Sequence, residues 1–236
     1  MAFYDSWKYK KRTSLGKAMV DRFNRNLVRL IRRTAPAAKD YCEIGPGNGV
    51  FLRQLAGLNI NYVCFEPNRT MAIALKEISP KIRIIPKMVP PVGLPAESVD
   101  IVYLGHVIEH FRDHFEVHHV LSDCRRILRK NGLIVLLFPD YIGYREDFFD
   151  IDYSHSYVTT VSRVRHLLED AGFGAPAVRI FNAHLSGLPR VLLSPFILVS
   201  SLFFGLLYGI FRKEIFLKGK ITFGRNVVMI AKKNDL

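Results

Sequence analysis

Cysteine is scarce in this chain, and acid is outnumbered by base. The three cysteines, Cys42, Cys64 and Cys124, are odd in number and widely spaced, and the first two sit inside apolar runs that read as strands. That pattern excludes a disulfide framework and points to a reducing compartment. The opening MAFYDSWKYKKR is basic, but no apolar run follows it. It therefore lacks the layout of a secretory signal, and residence in the cytosol is expected. Zinc-finger spacing, RNP motifs, Arg/Gly repeats and internal repeats are all missing, which counts against a nucleic-acid partner. Acidic residues number 21 against 34 Lys and Arg, leaving a formal charge of +13. Such a surplus favours an anionic partner such as an acidic membrane surface, a phosphorylated substrate or nucleic acid.

What is present is alternation. In LGKAMVDRFNRNLVRLIRRT, residues 15–34, Leu15, Met19, Phe23, Leu27 and Leu30 share one face of an amphipathic helix. Strand and helix patterns then alternate: strand 40–44, helix about 48–57, strand 61–66, helix 68–78, strands 82–86 and 99–104, helix about 114–130 and strand 133–138. Asn68 is placed to cap its helix, Ser79-Pro80 to end it, and Asn131-Gly132 to stop the helix at 130. TTVSRVRHLLEDAGF reads as a further helix ending at Gly172, AVRIFNAH as a strand and NVVMIAKK as the final one. The expected architecture is α/β, a doubly wound, mostly parallel seven-stranded sheet with a hydrophobic helical insertion before the last strand. As one domain of 236 residues it divides into a helical arm (1–37), a core (38–182), the insertion (184–218) and the last strand (220–236).

The chemistry begins in DYCEIGPGNGVFLRQL. Gly45, Gly47 and Gly49 fall at a strand-to-helix turn, where missing Cβ atoms let a ligand approach the backbone and the amides of the helix start. Seventeen residues after Gly49, at the end of the next strand, Glu66 is placed to accept hydrogen bonds from ribose hydroxyls. A dinucleotide loop would read G-x-G-x-x-G; this one reads Glu43-Ile44-Gly45-Pro46-Gly47-Asn48-Gly49.

At this point the sequence resembles the class I S-adenosylmethionine-dependent methyltransferases. Glu43 to Gly49 matches their E/D-x-G-x-G-x-G motif residue by residue, and Glu66 matches their second-strand acid. LPAESVDIVYLGHVIEHF and GLIVLLFPD resemble later segments, so the resemblance covers roughly residues 38–182. It implies the Rossmann-like methyltransferase fold and S-adenosylmethionine as cofactor. Glu43 would then lie near the cofactor's amino-acid end, the glycines along its methionine chain and Glu66 on its ribose, with His106 lining the same pocket. The usual third-strand Asp is absent from Pro86-Lys87-Met88-Val89-Pro90-Pro91, so Met88 and Val89 are expected to pack the adenine ring.

Gly105-His106-Val107-Ile108-Glu109-His110 lies just past the fourth strand, at the edge where open α/β sheets bind ligands. The ubiquinone-pathway O-methyltransferases and small-RNA 2′-O-methyltransferases resemble it with E-x-x-E-H, a later His and a divalent metal. Here His106 replaces the first Glu, and no metal is assigned; His106, Glu109, His110 and His155 are the donors an ion would have. Glu109, His110 and His155 are the expected catalytic group, with a histidine as base for a hydroxyl acceptor. Asp140, Tyr141, Tyr144 and Arg145 are placed to touch the acceptor, and the N-terminal FYDSWKY to close over the cofactor.

The remaining anomaly is Val191–Phe211, twenty-one residues without a charge between Arg190 and Arg212-Lys213. Its length suits a membrane span, but it separates two strands of one sheet. Pro195, Ser200-Ser201 and Gly205 suggest two short helices dipping into one leaflet from the cytoplasmic side, drawn to anionic headgroups. The reading is O-methylation of an amphipathic or lipid-linked acceptor at a membrane surface. An RNA or soluble small-molecule methyltransferase and a non-catalytic cofactor-binding subunit are the rivals, and oligomeric state is left open.

Overall fold

In a computed structural model, residues 14–182, 191–211 and 223–234 are described, together with 213, 215, 216, 219 and 220. The N-terminal FYDSWKY lies outside them. Alternation along the strands explains why the sheet is covered on both sides. In β5 (Leu128–Pro139), Ile134, Leu136 and Phe138 face one apolar cluster, while Leu133, Val135 and Leu137 face the other. β1 (Asp40–Ile44) and β4 (Val99–Gly105) divide the same way, with Cys42 and Val102 on one side and Tyr41 and Ile101 on the other. Strands buried on both faces read as continuous apolar runs, as these do.

Helices α1 (Ser14–Thr34), α2 (Val50–Leu55) and α3 (Arg69–Ile78) supply one layer through Phe23, Leu27, Ile31, Phe51, Leu52 and Leu75. Helices α4 (His114–Ile127) and α7 (Val161–Asp170) supply the other through Val117, Leu121, Val164 and Leu168. The remaining strands are β2 (Asn61–Phe65), β3 (Arg83–Ile85), β6 (Ala177–Asn182) and β7 (Arg225–Lys232). The seven strands stand in the order β3-β2-β1-β4-β5-β7-β6, parallel except for β7, which runs antiparallel to both neighbours. The chain winds outward from β1 to β3 and then restarts at β4 on the other side of β1. The carboxyl ends of β1 and β4 therefore flank the point where the winding reverses, the usual crevice of such sheets.

Local chemistry set several boundaries. Asn68 caps α3 by accepting from the Met71 amide, and α3 ends at Ser79. Past α7, Gly172 takes a φ of +82°, and the Phe173 amide returns to the Leu168 carbonyl. Three expectations need correction. The helix after the glycine loop is shorter than 48–57, because Gly49 (φ +66°) and Gly57 (φ +83°) bracket it outside helical geometry. Helix α4 stops at Ile127 rather than 130, since Leu128 already pairs with Val99; Asn131 (φ +65°) instead belongs to a bulge in β5 that shifts its register on β4.

The third correction concerns the insertion. Ser194–Phe211 is one continuous helix, α8, not two short ones. Pro195 falls in its first turn, where no intrahelical donor is required, and Ser200, Ser201 and Gly205 are absorbed without a break. Ile197 is its one buried residue, while Phe196, Leu198, Val199, Leu202, Phe203, Leu206 and Ile210 are exposed. The helix leans on the chain's return to the sheet through ring contacts of Phe196 and Phe204 with Phe223. Both ends of the insertion meet the sheet together. Asn182 of β6 pairs with Arg225 of β7, and Asn182 Nδ2 donates to the Phe223 carbonyl at 2.9 Å. Because Asn226 pairs with Pro139, that mouth opens at the carboxyl end of β5.

Candidate functional site

Two turns meet at the reversal point. After β1, Gly45, Gly47 and Gly49 all have positive φ, +67°, +51° and +66°. A Cβ on Gly45 would stand 2.8 Å from Val107 Cγ2, so the missing side chain lets the loop close against the turn after β4. At Gly47 no described residue lies within 4 Å of that position, which leaves its backbone open to a ligand. Glu66 braces the loop from the end of β2. Its Oε2 accepts from the Gly47 amide at 3.3 Å and its Oε1 from the Asn68 amide at 2.9 Å. A carboxylate has about four acceptor positions, so capacity for two ribose hydroxyls remains. Burial pushes the Glu66 carboxyl above its ordinary pKa, against the pull of those two amides.

Glu43 points to the α1–α3 side of the sheet, beneath the loop. It is buried and accepts a hydrogen bond from the Tyr62 hydroxyl. Burial pushes its carboxyl up to about 8, which the Tyr62 hydrogen bond opposes and Glu66 reinforces. Past β3, Met88 is 71% exposed while Val89 is buried.

The turn after β4 holds the second set. His106 adopts a φ of +57° and stands half in solvent. Its Nδ1 lies 3.2 Å from Oε1 of Glu109, which is fully buried and whose Oε2 has no hydrogen-bond partner among the described residues. Burial raises the Glu109 carboxyl, but the His106 hydrogen bond and the charges of His106 and His110 outweigh it and hold it below the usual range. The loop 152–157 clasps this turn, with the Ser156 and Tyr157 amides donating to the Glu109 carbonyl at 2.9 and 3.0 Å. It brings the His155 ring to 4.9 Å from that of His110. One ligating atom each of Glu109, His110 and His155 falls within 4.8 Å of the others; His106 is outside that trio. His155 Nδ1 lies 2.5 Å from the Phe148 carbonyl, and burial lowers the ring's pKa, keeping it neutral.

The 140–151 segment serves the chain's return to the sheet at β7 more than the cleft. Asp140 is buried and pairs with Arg225 Nε at 2.7 Å, and the Tyr144 hydroxyl accepts from Asn226 Nδ2 at 3.1 Å. Asp147, in the short helix α6 (Asp147–Ile151) that follows the single turn α5 (Tyr141–Tyr144), is ion-paired with Lys220. Tyr141 packs its ring edge-on against Phe148, and Arg145 is exposed. Sequence reasoning missed Asp152 and Ser154, which reach His110 from the clasping loop. The spacing Asp-x-Ser signals a local turn, but nothing in it announces a partner 44 residues away.

Residues 42–136 match the family model described as a methyltransferase domain. A protein from two strains of Mycobacterium tuberculosis, described as a probable S-adenosylmethionine-dependent methyltransferase, is 28% identical over 156 residues, 64% of this chain and 55% of that protein. The chain thus spans just over half the length of that relative. Among solved structures, a SAM-dependent methyltransferase of Thermotoga maritima superposes with a TM-score of 0.65 at 17% identity, covering 98% of each chain. One from Archaeoglobus fulgidus gives 0.60 at 20% identity, covering 89% of this chain and 94% of that one. The loop braced by Glu66 at the reversal point lies within the stretch that matches a methyltransferase domain, and the chain has the Rossmann-like fold of the class I S-adenosylmethionine-dependent methyltransferases.

Proposed function

We propose that this methyltransferase moves the methyl group of S-adenosylmethionine to an oxygen of an amphipathic or lipid-linked acceptor at the cytoplasmic face of a membrane. The observation that carries this reading is the position of the insertion's mouth. The apolar helix leaves and rejoins the sheet at the carboxyl end of β5, the strand beside β4. With strands about 4.8 Å apart, β7 lies roughly 10 Å from the turn that holds His106 to His110. A surface that seeks hydrocarbon is thereby attached next to the cleft.

The helix is eighteen residues long and apolar on all sides, sufficient by length and composition to cross a bilayer. Its two flanking strands are hydrogen-bonded to each other, so a single crossing would part them. An in-plane position below the headgroups keeps both ends on one side, and the chain's positive charge favours an anionic leaflet.

The residues present fit the cofactor. The open backbone at Gly47 suits a methionine chain passing over it, and Glu66 suits the ribose. When bound, S-adenosylmethionine supplies a methyl group on a positively charged sulfur, ready for in-line displacement. The protein's task is then to hold the acceptor oxygen in line and take its proton. Glu109, His110 and His155, converging at the turn beside the glycine loop, stand on the acceptor side.

Flotation with vesicles of anionic and of zwitterionic lipid tests the membrane part. The intact chain should rise with the anionic vesicles, and a variant with 188–215 replaced by a short polar linker should stay in solution yet bind S-adenosylmethionine. Labelled methyl from the cofactor should enter a total lipid extract. Label entering RNA instead, with steep salt dependence, would favour the nucleic-acid rival. If the intact chain ignores vesicles and the linker variant turns an oligomer into a monomer, the helix is an interface between copies.

A further inference from the structure

Asp152 and Ser154 form a hydrogen-bonded chain that ends on His110. Ser154 Oγ lies 2.6 Å from Asp152 Oδ1 and 2.8 Å from His110 Nδ1. The Ser154 amide donates to the same Oδ1 at 3.0 Å. A hydroxyl has one proton to give, and a carboxylate can only accept. The proton of Ser154 therefore points to Asp152, which is buried, and the serine oxygen presents lone pairs to the ring. Nδ1 of His110 must then carry hydrogen, and in the neutral ring the basic lone pair belongs to Nε2.

We propose that Asp152 and Ser154 are positioning residues that fix His110 in the Nδ1–H tautomer, making its Nε2 the base for the acceptor hydroxyl. This rests on the O-methylation reading above. In the step, the hydroxyl proton passes to Nε2 while the acceptor oxygen forms its bond to the methyl carbon. The carbon–sulfur bond breaks, and its electron pair stays on sulfur. The imidazolium so formed is held through Ser154 by the Asp152 carboxylate until it loses the proton to water. The loop does not need the relay to fold onto the turn, because the Ser156 and Tyr157 amides bind the Glu109 carbonyl independently.

Long-range proton–nitrogen NMR of the uniformly 15N-labelled chain, without any acceptor, reads the tautomer directly. The expected pattern for His110 is Nδ1–H; in Ser154→Ala the ring should move to the Nε2–H form or a mixture, and Ser154→Thr should restore it. An intact chain with His110 in the Nε2–H form overturns the proposal. The second arm is methyl transfer into a total lipid extract. Ser154→Ala and Asp152→Asn should each lower kcat about 10- to 100-fold, a fraction of what a general base contributes, with KM for S-adenosylmethionine unchanged and Ser154→Thr recovering most of the rate. An unaltered kcat in Ser154→Ala overturns the role in catalysis. If the tautomer is as expected but no variant, including the intact chain, methylates any hydroxyl, the O-methylation reading fails while the relay stands.

Discussion

β5 and α8 are both runs of large aliphatic and aromatic residues, yet the structure treats them oppositely. From Gly132 to Pro139 every residue of β5 is buried, between two helical layers. In α8 only Ile197 is. Hydrophobicity alone does not distinguish them; what surrounds them in the topology does. β5 lies between β4 and β7, so its backbone is paired on both sides and both faces are covered. The α8 helix satisfies its own backbone, and most of its side chains are exposed, with Phe196 and Phe204 against Phe223 among the described residues. The difference separates residues that hold the fold together from residues that, on the membrane reading proposed above, give it a place to work.

The sharpest way to break that contrast is to put a charge in each run. Val135→Asp places an unpaired carboxylate in a site with no exposure, which should cost the folded state altogether; circular dichroism and solubility would show it. Leu202→Asp, on the exposed helix, should leave the unfolding transition in place and reduce recovery with anionic vesicles. Next in size is Glu66→Ala. It removes two charge-assisted hydrogen bonds to a ribose, each worth about 1.5–3 kcal/mol, so S-adenosylmethionine affinity measured by calorimetry should fall by about 10² or more. No substitution in α8 should do that.

How much of this was legible follows the same division. The βαβ order, the glycine loop and the Glu66 partner were visible because strand periodicity, left-handed glycines and an acid after the second strand are local signals. The end of α4 was not, because Leu128 leaves the helix to pair with Val99, a tertiary demand that overrides the Asn131-Gly132 stop. Nor was the continuity of α8, since Pro195 is disruptive only away from a first turn. The relay was hidden for a further reason: Asp152 and Ser154 are neighbours in sequence, but His110 comes to them through the fold.

A prediction of intermediate size concerns Glu43. Its folded pKa of about 8 lies above the ordinary 4.5, so the folded chain holds a proton that the unfolded chain releases. Stability from this group is full below about 4.5 and declines as pH rises toward about 8, levelling off beyond. The span corresponds to a few kcal/mol, on the order of the linkage for shifts of this kind. Urea unfolding at pH 5 and pH 8 should therefore show a fall in the wild type that is reduced in Glu43→Gln. The smallest effect expected is that of Leu202→Ala. At an exposed position it should move stability by no more than about 0.5 kcal/mol, whereas Leu136→Ala in β5 should cost about 2–5 kcal/mol by chemical denaturation.

The place of β7 between β5 and β6 has a consequence for synthesis. Strands made earlier must wait for residues 225–232 before either can be paired on that side. The ribosome releases α8 before it releases β7, and at about 5–20 residues per second the interval is roughly one to three seconds. During that interval the nascent chain displays its greasiest helix while its sheet is still unfinished. On the membrane reading proposed above, a nearby bilayer would capture the helix first, and the last strand would then lock into a domain already moored in place.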